Sequence, residues 1–172
     1  NVDRLRTYRL GRARAALDAS ELGAVLLFDF NNIRYVTSTH IGEWARDKMT
    51  RYALLTRGGD PHIWDFGSAA KHHRLNCPWL SPDNIHAGMI GLRGAVAPEA
   101  GLFTGAAKEI AALLKAEGAA DMPLGVDLLE PPMLAALEAQ GIVVRDAQQV
   151  LLDAREVKSV DEIILLNTAC AM

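Results

Sequence analysis

Ala24-Val25-Leu26-Leu27-Phe28 is an unbroken apolar run between Gly23 and the turn-forming stretch Asp29-Phe30-Asn31-Asn32. A run this short, with no polar alternation, is a buried strand and needs cover on both of its faces. The second half of the chain supplies candidates for that cover. Ala106, Ile110, Leu113 and Leu114 are spaced as one face of a helix that ends near Gly118. Leu124 to Leu128 reads as a strand, and Pro131-Pro132 fit the first turn of a helix running to about Ala139. Ile142-Val143-Val144 is a further strand after Gly141, and a helix follows through Ala154. Strands alternating with helices imply an α/β layer. The first half adds antiparallel pairing, because Arg57-Gly58-Gly59-Asp60-Pro61 is a hairpin signal between strands at 51–56 and 62–66. The expected fold is therefore α/β, a mixed β-sheet flanked by helices.

Three further helices are expected. One covers residues 2–19, with Val2, Leu10, Ala13 and Leu17 toward one face. Asn31 would cap a short helical stretch through Tyr35, and Ser68 to Leu75 forms another short helix. At 172 residues the chain is one domain of ordinary size. Half of it is apolar and 23% charged, the profile of a soluble globular protein.

A net charge of −3 gives no footprint for nucleic acid, which needs a clustered basic surface. Arg4, Arg6, Arg9, Arg12 and Arg14 do cluster, on an amphipathic helix, and read as a solvated face. No apolar run approaches the roughly 18 residues of a membrane span, and no signal-peptide pattern is present. Cys77 and Cys170 fit free thiols in a cytoplasmic protein.

The residues that carry chemistry give little local support for catalysis. Neighbouring His72 and His73 diverge by roughly 100° on a helix, lack a third ligand at metal spacing, and read as a solvent-facing pair. His40, His62 and His86 are isolated in sequence and read as surface or hydrogen-bonded histidines. Trp64 reads as core or interface. Asp29, Asp65 and Asp127 each close an apolar strand, so they could meet where carboxylates hold two divalent ions in nucleases. Turn and N-cap chemistry is the competing reading, and a phosphodiester substrate would need basic surface. The glycines from Gly88 to Gly94 match neither phosphate-binding fingerprint and read as a connection. No Ser-His-Asp or Cys-His set has supporting context, so no catalytic residue and no metal ligand is assigned.

Three segments, in order, carry a resemblance: Asn32-Ile33-Arg34-Tyr35-Val36-Thr37 after the buried strand, Ile63-Trp64-Asp65 at the end of the hairpin, and Ala154-Arg155-Glu156-Val157-Lys158-Ser159-Val160-Asp161-Glu162-Ile163. Together they resemble the amino-terminal domain of the creatinase/prolidase family, the Xaa-Pro peptidase group of "pita-bread" metalloenzymes. The resemblance implies a ribonuclease H-like topology for residues 1–157. The capping box Ser159…Glu162 opens a helix, and residues 158–172 are then the start of a metal-binding domain lying beyond. In that family the metal-binding domain holds two divalent metal ions on two Asp, one His and two Glu, and none are implied here. The resemblance implies an amino-terminal domain that is non-catalytic, builds a dimer or higher oligomer, with a homodimer expected here, and covers the active site.

The resemblance also singles out the loop Ser38-Thr39-His40-Ile41-Gly42-Glu43-Trp44-Ala45-Arg46. Trp44 offers a face for a cation and Arg46 a partner for a carboxylate, so Trp44, Arg46 and His40 are the substrate-lining candidates. The competing reading is a surface-packed Trp with a solvated Arg. The family's peptidases continue with a "Thr-Gly-Phe"-like step where this chain has Thr37-Ser38-Thr39. A Trp-rich loop is similar to members acting on small non-peptide compounds, such as dimethylsulfoniopropionate lyases. Dipeptide and small-molecule substrates both stay open, as does a stand-alone ligand- or protein-binding domain. Neither a nucleic-acid nor a membrane partner is expected.

Overall fold

A computed structural model of the chain describes residues 1–40, 50–88 and 97–172. The elements run α1 (Val2–Asp18), β1 (Ala24–Leu27), α2 (Phe30–Thr37), β2 (Tyr52–Thr56), β3 (His62–Asp65), α3 (Gly67–Asn76), β4 (Ile85–Ala87), α4 (Leu102–Ala116), β5 (Leu124–Val126), α5 (Pro131–Glu138), β6 (Val144–Asp146), α6 (Gln148–Glu156) and α7 (Val160–Cys170). Six strands form one sheet in the order β4-β3-β2-β1-β5-β6. β2 pairs antiparallel with β1 and β3, and the other neighbours are parallel. The sheet is mixed, as the hairpin and the βα alternation together require.

Side chains alternate across this sheet with the period of two that a strand imposes. Val25, Leu27, Ala53, Leu55, Ile63 and Ile85 face a core closed by Ala13 and Leu17 of α1, Ile33 and Val36 of α2, Ala70 of α3, and Leu151 and Ala154 of α6. Leu26, Phe28, Tyr52, Leu54, Trp64, Leu124 and Val126 face the other core, closed by Ala106, Ile110 and Leu114 of α4 and by Met133 and Leu137 of α5. All four residues of β1 are buried, which is why its sequence is apolar throughout. Gly125 in β5 is required by close approach: a Cβ there would lie 2.7 Å from that of Ala147 and 2.4 Å from the tip of Leu22. Gly58 turns the hairpin with φ +73°, a left-handed conformation that suits glycine.

Several boundaries differ from the sequence expectation, each for a physical reason. In α1, Val2 is exposed and Leu5 joins Ala13 and Leu17 in the buried stripe. α2 is capped by Asp29, not Asn31: the Asp29 carboxylate accepts from the backbone N–H of Asn31 and Asn32, and the helix reaches Thr37. The last strand starts at Val144, because Ile142 still donates to Leu137 and finishes α5. The edge strand β4 has no apolar alternation to announce it and exists through its parallel pairing with β3.

The arginines of α1 are paired, even where, as at Arg4, the side chain stays largely exposed. Arg4 bonds Asp161 at 2.7 and 2.8 Å, and Arg9 bonds Glu162 at 2.8 Å. Arg12 donates to the Asp153 and Ala154 carbonyls, and Arg14 to Asp60 and the Gly59 carbonyl. Arg6 pairs with Asp3 and lies 3.5 Å from the centre of the Trp79 ring. At about 100° per residue these five positions are spread round the helix, and their partners accordingly come from α6, α7 and the hairpin as well as α1 itself. At the start of α7 both halves of the Ser159–Glu162 capping box are made. Cys77 and Cys170 are free thiols. Among the described residues no helix is long and apolar enough to cross a membrane.

Asp161 ties α7 to α1. Its bonds with the Arg4 guanidinium hold its carboxyl well below the usual carboxylate range. A depressed carboxylate contributes stability above its ordinary value of about 3.9, and that contribution is lost as pH falls through the folded value. The urea midpoint of Asp161→Asn should therefore lie below wild type at pH 7, and the gap should close as pH falls below about 4. A gap independent of pH would show that the ion pair adds nothing.

Candidate functional site

β1, β3, β4, β5 and β6 all point the same way, so their carboxyl ends share one edge of the sheet. The helix after β1 packs on one face and the helix after β5 on the other. The crevice where neighbouring strands part in this way is the usual ligand position in open α/β sheets. Asp29 and Asp127 stand there. Asp127 accepts from the backbone N–H of Phe28 at 2.8 Å and of Asp29 at 3.2 Å, and from the Asn32 amide at 2.8 Å. Burial pushes the Asp127 carboxyl up, against those three bonds. Asn32 is fully buried and its Oδ1 has no partner among the described residues.

Asp65 ends β3 on the same edge, but two strand spacings from β1, or about 9–10 Å. It belongs to a separate buried network. Its Oδ2 lies 3.3 Å from Arg51 Nε and 3.0 Å from His73 Nε2, and its Oδ1 accepts from the Phe66 N–H. His73 Nδ1 in turn lies 3.7 Å from the Cys77 sulfur. Arg51 also donates to the Thr39 hydroxyl, which lies 2.7 Å from that of Thr37. Burial pulls the Arg51 guanidinium below its ordinary value and Asp65 opposes this. Burial also pushes the Cys77 thiol up, against the charges of Arg6 and Arg51.

The three strand-end aspartates therefore reach one edge without forming one site. Asp29 is an N-cap, Asp127 ties the ends of β1 and β5, and Asp65 neutralises Arg51. Among the described residues no group of three or more His, Cys, Asp or Glu is placed to hold a metal ion. His73 is a correction to the solvent-facing pair: it is 1% exposed and bonded to Asp65, while His72 alone faces out. Cys77, His73 and Asp65 form a thiol–imidazole–carboxylate line that a reading from sequence missed. The i, i+4 spacing of His73 on α3 and Cys77 at its C-cap was the available signal. With a buried thiol pushed toward its neutral form, this line braces the structure and supplies no activated nucleophile.

Of the substrate-lining candidates, His40 is exposed just beyond Thr39. Trp44 and Arg46 lie outside the described residues, as does most of the Gly88 to Gly94 stretch. The Thr37–Thr39–Arg51–Asp65 network joins the two ends of the segment from His40 to Thr50 that carries those candidates. On another side, a cleft of about 1020 Å³ is lined by Arg9, Tyr35, Leu152, Arg155, Glu162 and Leu166, among others. Leu165 and Leu166 of α7 line it, and with Ile163 and Ile164 each is about half exposed, apolar surface of the kind that other protein surfaces cover. Tyr35 donates to the Ala154 carbonyl at 2.9 Å, and burial pushes its hydroxyl up to about 12.

No protein-family model matches the chain. It is 30% identical over 174 residues to the dimethylsulfoniopropionate lyase DddP of Roseovarius nubinhibens, which covers 98% of this chain and 38% of the lyase. The chain thus spans about two fifths of the length of the curated relatives it matches. The Xaa-Pro dipeptidase of Bacillus anthracis superposes with a TM-score of 0.59 at 14% identity, over 92% of this chain and 38% of the dipeptidase. The amino-terminal domain of the cytoplasmic peptidase PepQ of Mycobacterium tuberculosis superposes with a TM-score of 0.54 at 19% identity, over 86% of this chain and 98% of that domain.

Proposed function

We propose, from a chain that is an amino-terminal domain of the creatinase/prolidase family, that it is the non-catalytic part of a dinuclear-metal enzyme of the Xaa-Pro dipeptidase type. It builds a homodimer and covers the active site of a companion domain. The observation that carries the reading is its match to nearly all of an isolated peptidase amino-terminal domain alongside only two fifths of the complete enzymes. The half-exposed apolar residues Ile163 to Leu166 of α7 suit packing by that companion domain. The two divalent ions belong to the companion domain, where such a pair activates water and polarises the bond to be cleaved. This chain contributes substrate contacts through the loop carrying His40, Trp44 and Arg46.

A second reading of the substrate has its own support. The 30% identity extends over 98% of the chain and links it to an enzyme named for cleaving dimethylsulfoniopropionate. That compound is a cation joined to a carboxylate, the two chemistries that an indole face and a guanidinium receive. The test is to read the source gene past the codon for Met172 and assay the complete product with both substrate classes. Hydrolysis of Xaa-Pro dipeptides supports the first reading, and release of dimethyl sulfide supports the second. A gene that stops soon after that codon defeats both.

In the complete enzyme, Trp44→Ala should lower kcat/KM by about 2- to 30-fold, the loss expected for a cation–π contact of about 0.5–2 kcal/mol. Arg46→Ala should act in the same direction, and metal content should be unchanged in both. Wild-type kinetics in the two variants would remove these residues from the substrate site.

A further inference from the structure

Away from the strand-end crevice, four titratable side chains stand in a line along the β3–β4 edge. Glu117 Oε1 lies 2.7 Å from His62 Nε2, His62 Nδ1 lies 3.0 Å from His86 Nε2, and His86 Nδ1 lies 3.7 Å from Glu109 Oε1. The second oxygen of Glu117 accepts from the Thr56 hydroxyl, so both its oxygens act as acceptors. Both carboxylates come from α4 and its C-cap, and the imidazoles come from two neighbouring strands. Arg74 of α3 approaches from beneath, bonded to the Ile85 carbonyl. The Tyr52 phenol of β2 feels Glu109, and burial keeps it protonated.

Counting protons shows what this line does. Its three contacts each need one N–H, because ionised carboxylates only accept. Two neutral imidazoles carry two N–H groups between them, so one contact must lack a proton. The 3.7 Å gap between His86 and Glu109 is that contact: it is longer than a hydrogen bond. One added proton makes the count complete. His62 then donates from both nitrogens, to Glu117 and to His86, and His86 donates from Nδ1 to Glu109.

We propose that Glu117, His62, His86 and Glu109 form a proton-operated clamp: the two imidazoles share a single added proton, which adds the His86–Glu109 contact between β4 and α4 when bound and drops that one contact when lost. The Trp64 ring stacks 4.6 Å from His86 and 6.0 Å from His62, which favours the charged pair through the face of the indole. A second proton is refused. Burial, then the neighbouring His62, then Arg74 hold His86 down to about 4. The geometry sets the order: one added proton completes the three contacts, and a second, on His86, would set N–H against N–H between the two rings.

The test is long-range ¹H–¹⁵N NMR of the imidazole nitrogens from pH 8 to 5, with amide protection factors of α4 measured across the same range. The expected result is one proton gained by the pair, with His62 protonated at both nitrogens and His86 at Nδ1 alone, and α4 better protected at pH 5.5 than at pH 8. Glu117→Gln should move that titration down by about 1 pH unit or more through loss of an opposite charge, and Glu109→Gln should change the His86 tautomer. Two independent ring titrations, a doubly protonated His86 above pH 5, or protection of α4 that does not follow the titration would each overturn the clamp. The wild-type spectra decide the matter even if a variant fails to fold.

Discussion

Replacing Trp64 with alanine should lower the unfolding free energy by about 3–5 kcal/mol, a large part of what holds a domain of this size together. Trp64 is fully buried in the centre of β3, stacked 4.9 Å from Tyr52 on one side and 4.6 Å from His86 on the other. Phe28 extends the ladder, 5.3 Å beyond Tyr52. Removing the indole opens a cavity between β2, β4 and α4 that these rings cannot fill, because the strand register fixes them. Trp64→Phe should cost far less. It keeps a ring in the stack and removes the indole N–H, which has no partner among the described residues and whose burial costs about 1–3 kcal/mol. Urea denaturation of the two variants checks this. A loss below about 1 kcal/mol for alanine, well under the cost of deleting a buried aromatic, would mean that the ladder does not carry the core.

The parts of this fold visible in the sequence are those set by neighbours in the chain. The all-apolar β1, the glycine turn before His62 and the capping box at Ser159 each follow from a handful of adjacent residues, and each stands where expected. β4 did not announce itself, since Ile85-His86-Ala87 becomes a strand only because β3 offers it an edge. The pairing of His62 with His86 has the same origin. The parallel register sets His86 opposite Trp64, so two histidines that looked isolated touch across neighbouring strands. The α1 arginines show the opposite case: they are neighbours in sequence but spread round the helix, and nothing local signalled that α6, α7 and the hairpin would meet them. Of the site, His40 and the anchors of its loop can be placed, whereas Trp44 and Arg46 rest on the resemblance of their motif.

Asp65→Ala should cost about 3–5 kcal/mol, the penalty for leaving one charge of a buried pair without the other. Asp65 is 1% exposed and Arg51 5%, so water reaches neither to repair the loss. The arginine is held in place by Thr39 and would keep its charge inside the protein. Arg51→Met in the same background removes that stranded charge, and the double variant should be more stable than Asp65→Ala alone. The coupling measured by the double-mutant cycle should be about 1–3 kcal/mol. A sum of single losses that equals the double loss would mean the two residues act separately, through His73 on one side and Thr39 on the other. Under the proposed function, Arg51 and its partner Thr39 flank the segment carrying the substrate candidates. Asp65→Ala should therefore raise KM under conditions where the variant remains folded, and Asp65→Asn, which keeps the hydrogen bonds to Phe66 and His73, should raise it less.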